Sequence, residues 1–397
     1  MTKEEYVSLA VSRYEALEKL KEHDNFYDYE KNFDAIWTDL GRQYMESQLN
    51  ETSKTQDRRK KKTLTKYGSM SIVKTNPYME SHKQGFGISP YMQELMTYAG
   101  HLDCYEKGNE ILQRFLSIEV SSTQIYRVTN AVSESLSSED ESTERILPPV
   151  SSSEVLYAGV DGSMISTREE GWKEVKLARL FRSSDCLNPN TDNFYLTQSQ
   201  YIAHFGNSKD FCSKAERILD SYGHLKGQLV FLTDGATWIK NWIEDSYSDS
   251  YAILDYFHAC EHLHNFVESC FREDTEAGKM WFKEQKELLY ESQVEQVITN
   301  IADSKAKQSD KDKLISYYQN NKDRMDYKKY RSVGCGIIGS GSIESAHRTV
   351  IQKRMKLSGQ HWSRTGTQNM LRLRVLAMNK QWHKVIDVIK EPSRLAA

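Results

Sequence analysis

The chain has 397 residues, 27% of them charged and 38% hydrophobic, with a formal net charge of −3. That length allows two or three domains with a real core, and the near-neutral balance excludes a global pull toward nucleic acid, so any such binding must come from local basic patches. No apolar run of 18 residues reads as a membrane span; the charged start Met1-Thr-Lys-Glu-Glu lacks the apolar segment of a secretory signal; the cysteines, none in a C-x-x-C pair, read as reduced thiols of a cytoplasmic protein.

Residues 1–50 read as an acidic helical segment. Phe33, Ile36, Trp37, Leu40 and Tyr44 fall at helical spacing and form one apolar stripe, suited to packing on neighbouring helices or to dimerisation. Residues 51–132 form the next region. Arg58-Arg59-Lys60-Lys61-Lys62 can neutralise several phosphates, or simply face solvent in a loop. Residues 63–80 read as a hairpin with Gly68 in its turn. Pro90 opens a helix that Gly100 breaks. Asn109–Leu116 is a short amphipathic helix, Ser117–Ser121 a turn, and the stretch from Ser121 to Val132 a second helix with a serine cap. Helix, short turn and helix make 109–132 a candidate helix-turn-helix, with Gln124, Arg127 and Asn130 three apart on its outward face. The turn lacks glycine, and many packed helix pairs share this pattern.

Residues 133–153, rich in serine, acids and proline, read as a linker and set the domain boundary. Beyond it, Val155–Val160 is apolar on both faces, as in a sheet covered on both sides. It delivers Asp161 at its tip, and Gly162 lets the chain turn. Trp172–Phe181 and Tyr201–Phe205 are the next strands, followed by a helix over Ser208–Tyr222. Gln228–Thr233 repeats the design and ends on Asp234-Gly235. A helix over Ala236–Ile243, a short strand Tyr251–Asp255 and a helix over Tyr256–Phe271 follow. This order of elements is that of the ribonuclease-H-like fold, which bears on fold before function. The predicted class is α/β: a ribonuclease-H-like mixed sheet over 154–271 and 331–397, an all-helical charged insertion at 272–330, and a mainly helical DNA-binding region in front. Gly334, Gly336, Gly339 and Gly341 form a loop that lacks the G-K-[ST] ending of a nucleotide-binding loop. It reads as slack that lets Glu344 approach the two aspartates. The helix that follows has a basic face, Arg348, Lys353, Arg354 and Lys356, and His347 sits one turn past Glu344.

Asp161, Asp234 and Glu344 are three acids at element ends. Each alone is no more than a cap; together their oxygens suit hard divalent cations. Two such ions roughly 3.5–4 Å apart suit in-line displacement at phosphorus. His258, Cys260, His262 and His264 lack the Glu of an H-E-x-x-H zinc site.

The motifs Val160-Asp161-Gly162-Ser163, Leu232-Thr233-Asp234-Gly235-Ala236, Asp255-Tyr-Phe-His258 and Gly339-Ser-Gly-Ser-Ile-Glu344-Ser stand in one order with a tail Lys356-Leu-Ser-Gly-Gln-His-Trp362 and Met370-Leu-Arg-Leu-Arg374. In this the chain resembles the DDE transposases of bacterial insertion sequences, on the mutator-like side, strongly over roughly 154–380 and more weakly over 56–132. The resemblance implies two Mg2+ (or Mn2+) ions held by Asp161, Asp234 and Glu344, with Asp161 bridging. It implies that His258 positions the scissile phosphate with Asp255 in support, and that Trp281, read on residues alone as equally a core tryptophan, stacks on a flipped base. It implies double-stranded DNA as partner, both terminal inverted repeats and target, contacted by Arg58–Lys62, Gln124, Arg127, Arg348, Lys353, Arg354 and Lys356. Synapsis of two ends implies a homodimer or larger assembly, and the location is cytoplasmic, on the bacterial nucleoid when DNA is bound. Two rivals keep the same residues: a ribonuclease-H-like nuclease that does not join strands, and a transposon-derived DNA-binding protein without chemistry.

Overall fold

The computed structural model describes residues 1–22, 25–51, 59–80, 87–136, 144–188, 194–223, 225–270 and 275–391. The chain divides into two compact units, residues 1–138 with 381–397, and residues 139–380.

In the first unit, α1 (Lys3–Lys19) starts at a capping box: the Thr2 hydroxyl accepts from the Glu5 amide and the Glu5 carboxylate from the Thr2 amide. It lies along α2 (Phe26–Glu51), joined by an Arg13–Asp39 ion pair and a Tyr6–Tyr44 edge contact. Leu40 is the one buried side chain of α2, and Trp37 remains 49% exposed, so most of the predicted apolar stripe faces outward. The basic run does not form a loop along its described length. Lys60–Lys62 open β1 (Lys60–Thr65), which pairs with β2 (Gly68–Val73), and Gly68 at φ +96° closes the turn. Arg59 is exposed just ahead of it; Arg58 lies outside the described residues.

Ser89 caps α3 (Pro90–Leu102), which runs through Gly100 instead of breaking there. A Cβ on Gly100 would stand 2.6 Å from Thr129 Oγ1, so this glycine is the crossing point of another helix. That helix is α5 (Ser122–Glu134), packed with α3 and with α4 (Tyr105–Leu116). A Ser121–Gln124 capping box starts α5, and Ser117, at φ +55°, ends α4 in the left-handed region usually given to glycine. The final helix, Trp382–Lys390, also folds here: Trp382 Nε1 donates to Glu94 Oε1 at 2.8 Å, and its ring meets Tyr98 and His101. It therefore does not belong with the sheet, to which 331–397 was assigned.

The second unit is a five-stranded mixed sheet: β3 (Leu156–Thr167), β4 (Gly171–Arg182), β5 (Gln200–Phe205), β6 (Leu229–Thr233) and β7 (Tyr251–Leu254), in the order β5-β4-β3-β6-β7. Pairings β3–β4 and β4–β5 are antiparallel; β3–β6 and β6–β7 are parallel. Leu156, Ala158, Val160 and Phe231 pack on one face against α6 (Ser208–Asp220) and α7 (Thr237–Ser246). Tyr157, Val230, Leu232 and Ile253 pack on the other against α8 (Tyr256–Cys270) and the helices α9 (Thr275–Tyr290), α10 (Val294–Asp303) and α11 (Gln308–Asn321). Covering both faces is what makes Leu156–Val160 and Leu229–Leu232 continuously apolar. Part of the predicted linker is built into this unit: Leu147 is buried and its amide donates to Tyr222 Oη. Past the insertion come α12 (Gly341–Ala346), a π-helical stretch His347–Gln352, and α13 (Arg364–Met378) alongside β5.

Candidate functional site

Strand register builds the site. Parallel pairing ends at Val160↔Thr233 between β3 and β6 and at Thr233↔Leu254 between β6 and β7. The next residues are Asp161, Asp234 and Asp255. They form one row at the carboxyl edge of the parallel strands, where open α/β sheets place their ligands. Neighbouring strands stand about 4.8 Å apart, so the three Cα atoms are close neighbours. Strand alternation puts all three on the face of Tyr157, Leu232 and Ile253. Asp161 is not at a strand tip. β3 continues to Thr167 against β4, and Gly162 stays in the strand opposite Lys176. What ends at Asp161 is its parallel neighbour.

Each acid has its own partners. Asp161 Oδ2 lies 3.1 Å from His347 Nε2, and Oδ1 accepts from the Gly162 amide. Asp234 Oδ1 accepts from the Ala236 amide at 3.0 Å. Burial pushes the Asp234 carboxyl up; that amide pulls it back, the charge of Asp161 pushes it up further, and His258 opposes both. Asp255 is 3% exposed. Its Oδ1 accepts from the Phe257 amide at 2.8 Å, and its Oδ2 lies 2.5 Å from Ser340 Oγ. Burial pushes its carboxyl up as well, against hydrogen bonds from Ser340 and from backbone amides. The same Ser340 hydroxyl lies 2.8 Å from Glu344 Oε1, and Glu344 itself is exposed.

The glycine-rich segment is not slack. The Tyr256 amide donates to Ile338 O, and Arg179 Nη1 donates to Ser342 O, both at 3.0 Å. A Cβ on Gly339 would stand 2.5 Å from the Phe257 ring, and one on Gly159 would stand 3.2 Å from Ile343 Cβ. These two glycines let the segment lie flat on the sheet beside the acidic row.

His258 lies in the first turn of α8, its Nδ1 3.4 Å from Glu261, its ring edge-on to His262. His262 stacks on Tyr317, and burial lowers its pKa, with His258 adding to the effect. The other predicted residues scatter. Trp281 packs on Phe266 at the edge of the core. Arg348 and Lys353 are exposed, but Arg354 is 1% exposed with its guanidinium over the Trp362 ring, so it is not on a basic surface. Lys356 turns to the sheet, its Nζ donating to Ser163 Oγ at 2.6 Å; burial lowers its pKa and Asp161 opposes that. On α5, Gln124 is engaged in the capping box and Asn130 bonds the Tyr126 carbonyl, while Arg127 is exposed. Among the described residues, no group of three or more His, Cys, Asp or Glu side chains is arranged to hold a metal ion.

Sequence reasoning missed Ser340 and Arg324. Arg324, 6% exposed, bonds Asn321, and Asp234 is one of the charges acting on it. Ser340 lay inside a quoted motif as a spacer between glycines; nothing in its spacing marks it as a bridge. Arg324 had no signal at all, being one of many charges in the insertion.

The fold and site define an α/β protein with an acidic row at the carboxyl edge of a mixed sheet. A family model matches residues 88–390, and the chain belongs to that family, described as Uncharacterised protein family (UPF0236). No curated protein matches the chain. No helix among the described residues is long and apolar enough to cross a membrane.

Proposed function

We propose that this protein is a DNA transposase with a ribonuclease-H-like catalytic unit, cutting DNA at the ends of its own element and joining the freed 3′-hydroxyl to target DNA. The observation that carries the reading is the row Asp161–Asp234–Asp255 with Glu344 fastened beside it. The strand order, three antiparallel strands followed by two parallel additions on the first, supports the fold assignment. The donor chemistry fits Mg2+ or Mn2+: Asp161 and Asp234 follow paired positions on adjacent strands and offer carboxylate oxygens, and Glu344 would complete the set. When bound, two such ions activate the attacking oxygen and stabilise the leaving one.

The chain's own residues do the rest. The rigid sheet holds Asp161 and Asp234 side by side, so their mutual repulsion is built in and favours a cation between them. His258, near enough to act on Asp234, offers a ring nitrogen to a phosphate. Exposed Arg348 and Lys353 offer contacts to the DNA backbone, as do Arg59, Lys60 and Lys62 on the hairpin. Double-stranded DNA is the proposed partner, a homodimer or larger the proposed working form, and the bacterial cytoplasm the proposed location.

The test is a labelled duplex carrying the DNA that flanks this gene, incubated with the purified protein and Mg2+ or Mn2+. Metal-dependent nicking followed by strand transfer is the expected result. Nicking without joining would favour the nuclease reading. Binding without cleavage under either metal would leave a DNA-binding protein without chemistry.

A further inference from the structure

Residues 59–79 contain Arg59, Lys60, Lys61, Lys62, Lys66 and Lys74 and no Asp or Glu, in a chain whose net charge is −3. Strand pairing sorts these cations. Lys62 stands opposite Ser71 and Leu64 opposite Ser69, so Lys60, Lys62, Ser69 and Ser71 share one side of the β1–β2 hairpin, and all four are exposed. On the other side Thr63, Thr65, Met70 and Ile72 are buried. The Lys74 amide donates to Arg59 O at 2.9 Å, which sets two exposed cations opposite each other at the open end of the ladder. Like charges so placed repel. Among the described residues Lys60, Lys62 and Lys74 have no ion pair, whereas Lys107, Lys279 and Lys322 each lie against a glutamate.

The surroundings narrow the partner. Both edges of the hairpin are engaged. The Leu64 amide donates to Gly87 O at 2.7 Å, and the Val73 amide to Asn50 Oδ1 at 2.8 Å, so the hairpin is not built to recruit a further strand. Its exposed side chains are ammonium and hydroxyl groups, which suit a polyanion and not an apolar protein surface. At the turn, Lys66 Nζ lies 5.3 and 5.8 Å from the ring centroids of Tyr67 and Tyr91, which hold that ammonium. The lysine side itself carries no ring on which an unpaired base could stack. It also lacks the Arg, Asn and Gln side chains that read base edges through paired hydrogen bonds. What remains is contact with phosphates, and duplex DNA presents them densely, about one charge per 1.7 Å. The helix pair α4–α5 is a poorer match. It exposes Arg114 and Arg127 but also Glu106, Glu110 and Glu119, and Gln124 is tied into its capping box.

We propose that the β1–β2 hairpin is a sequence-independent grip on duplex DNA, its lysine side lying along the phosphates, and that the helix pair α4–α5 contributes little to this grip. The hairpin's role rests on the DNA partner proposed above; it fixes which element holds the duplex and leaves the reading of sequence to other residues.

The test is fluorescence anisotropy of the full-length protein on two labelled duplexes of unrelated sequence, repeated at several salt concentrations. Wild type should bind both equally. The triple variant Lys60→Gln, Lys62→Gln, Lys74→Gln should bind both about tenfold more weakly or worse at low salt, and its slope of log affinity against log salt should fall by about one per lysine removed. Its urea denaturation should match wild type, since all three side chains are exposed. Lys107→Gln, which removes a lysine already paired with Glu110, should keep the wild-type slope. Wild-type affinity and slope in the triple variant would overturn the grip and leave the DNA reading standing. Loss of binding in Arg127→Ala instead would hand the role to the helix pair. Tighter binding to an RNA hairpin than to either duplex would move the partner to RNA. A wild type that binds neither duplex would overturn the grip and the DNA reading together.

Discussion

The two halves of β3 are one strand with two environments. From Leu156 to Val160 the strand lies between β4 and β6, and every residue is buried. From Asp161 to Thr167 its ladder partner is β4, with one parallel bridge from Thr167 to Trp362 at the far end, and burial alternates: Ser163, Ile165 and Thr167 turn inward, while Met164 is 46% exposed. Losing one neighbour changes what a side chain must be. The inner half holds apolar groups and one phenol, Tyr157, whose hydroxyl donates to Val333 O, because a buried polar atom there needs its own partner. The outer half opens a polar edge, and Asp161 is the first residue to use it.

Substitutions can break this comparison. The largest effect should fall on Asp161→Ala: under the proposed function, metal-dependent DNA cutting should drop about a thousandfold or more, as expected for loss of a group supporting charge in the transition state, while urea denaturation barely moves. A comparable loss of stability would mean that Asp161 belongs to the inner, structural half. Next comes Leu156→Ala, at 0% exposure, which should lose about 2–5 kcal/mol in urea denaturation. Gly159→Val should follow at about 1–3 kcal/mol, since the new side chain meets Ile343 and lifts α12; faster exchange over 338–347 checks the cause. Met164→Ala should stay within about 0.5 kcal/mol.

Asp234→Asn sharpens the comparison through pH. Its carboxyl is pushed up in the folded protein, so the unfolded chain releases this proton first as pH rises. Stability is then lost between the unfolded value, about 3.9, and the folded one. In metal-free buffer the variant should therefore be more stable than wild type at neutral pH, and the gain should vanish below about pH 4. A gain that persists in acid would point to packing instead of charge.

Much of the second unit is legible in the sequence because Leu156–Val160 and Leu229–Leu232 are apolar on both faces and helices such as Ser208–Asp220 and Arg364–Met378 start at a side-chain cap. Asp161 and Asp234 stood out as polar ends of apolar runs. Their alignment with Asp255 did not, since parallel register joins residues far apart in sequence and only the assembled sheet fixes it. The length of β3 was hidden for a related reason: its outer half alternates, so the end of the apolar run looked like the end of the strand. The glycines near 339 were visible, but flexibility and close approach leave the same mark in sequence. Ser117 shows the converse, a left-handed helix end without the glycine that usually signals it.

The π-helical stretch after Glu344 acts as a phase shifter. Such a turn carries about one residue more than an α-turn, which offsets the faces on either side by about 100°. Twelve residues separate Glu344 from Lys356; in an unbroken α-helix they would point about 120° apart, and with the offset they fall within about 20° of each other. Ten residues separate Glu344 from Arg354, and the same offset turns that guanidinium to the opposite side, where it lies under Trp362. Removing one residue between 348 and 352 should therefore close the bulge into plain α-helix and leave both side chains on their present faces: the bulge is how this helix carries one extra residue without turning Lys356 away from Ser163.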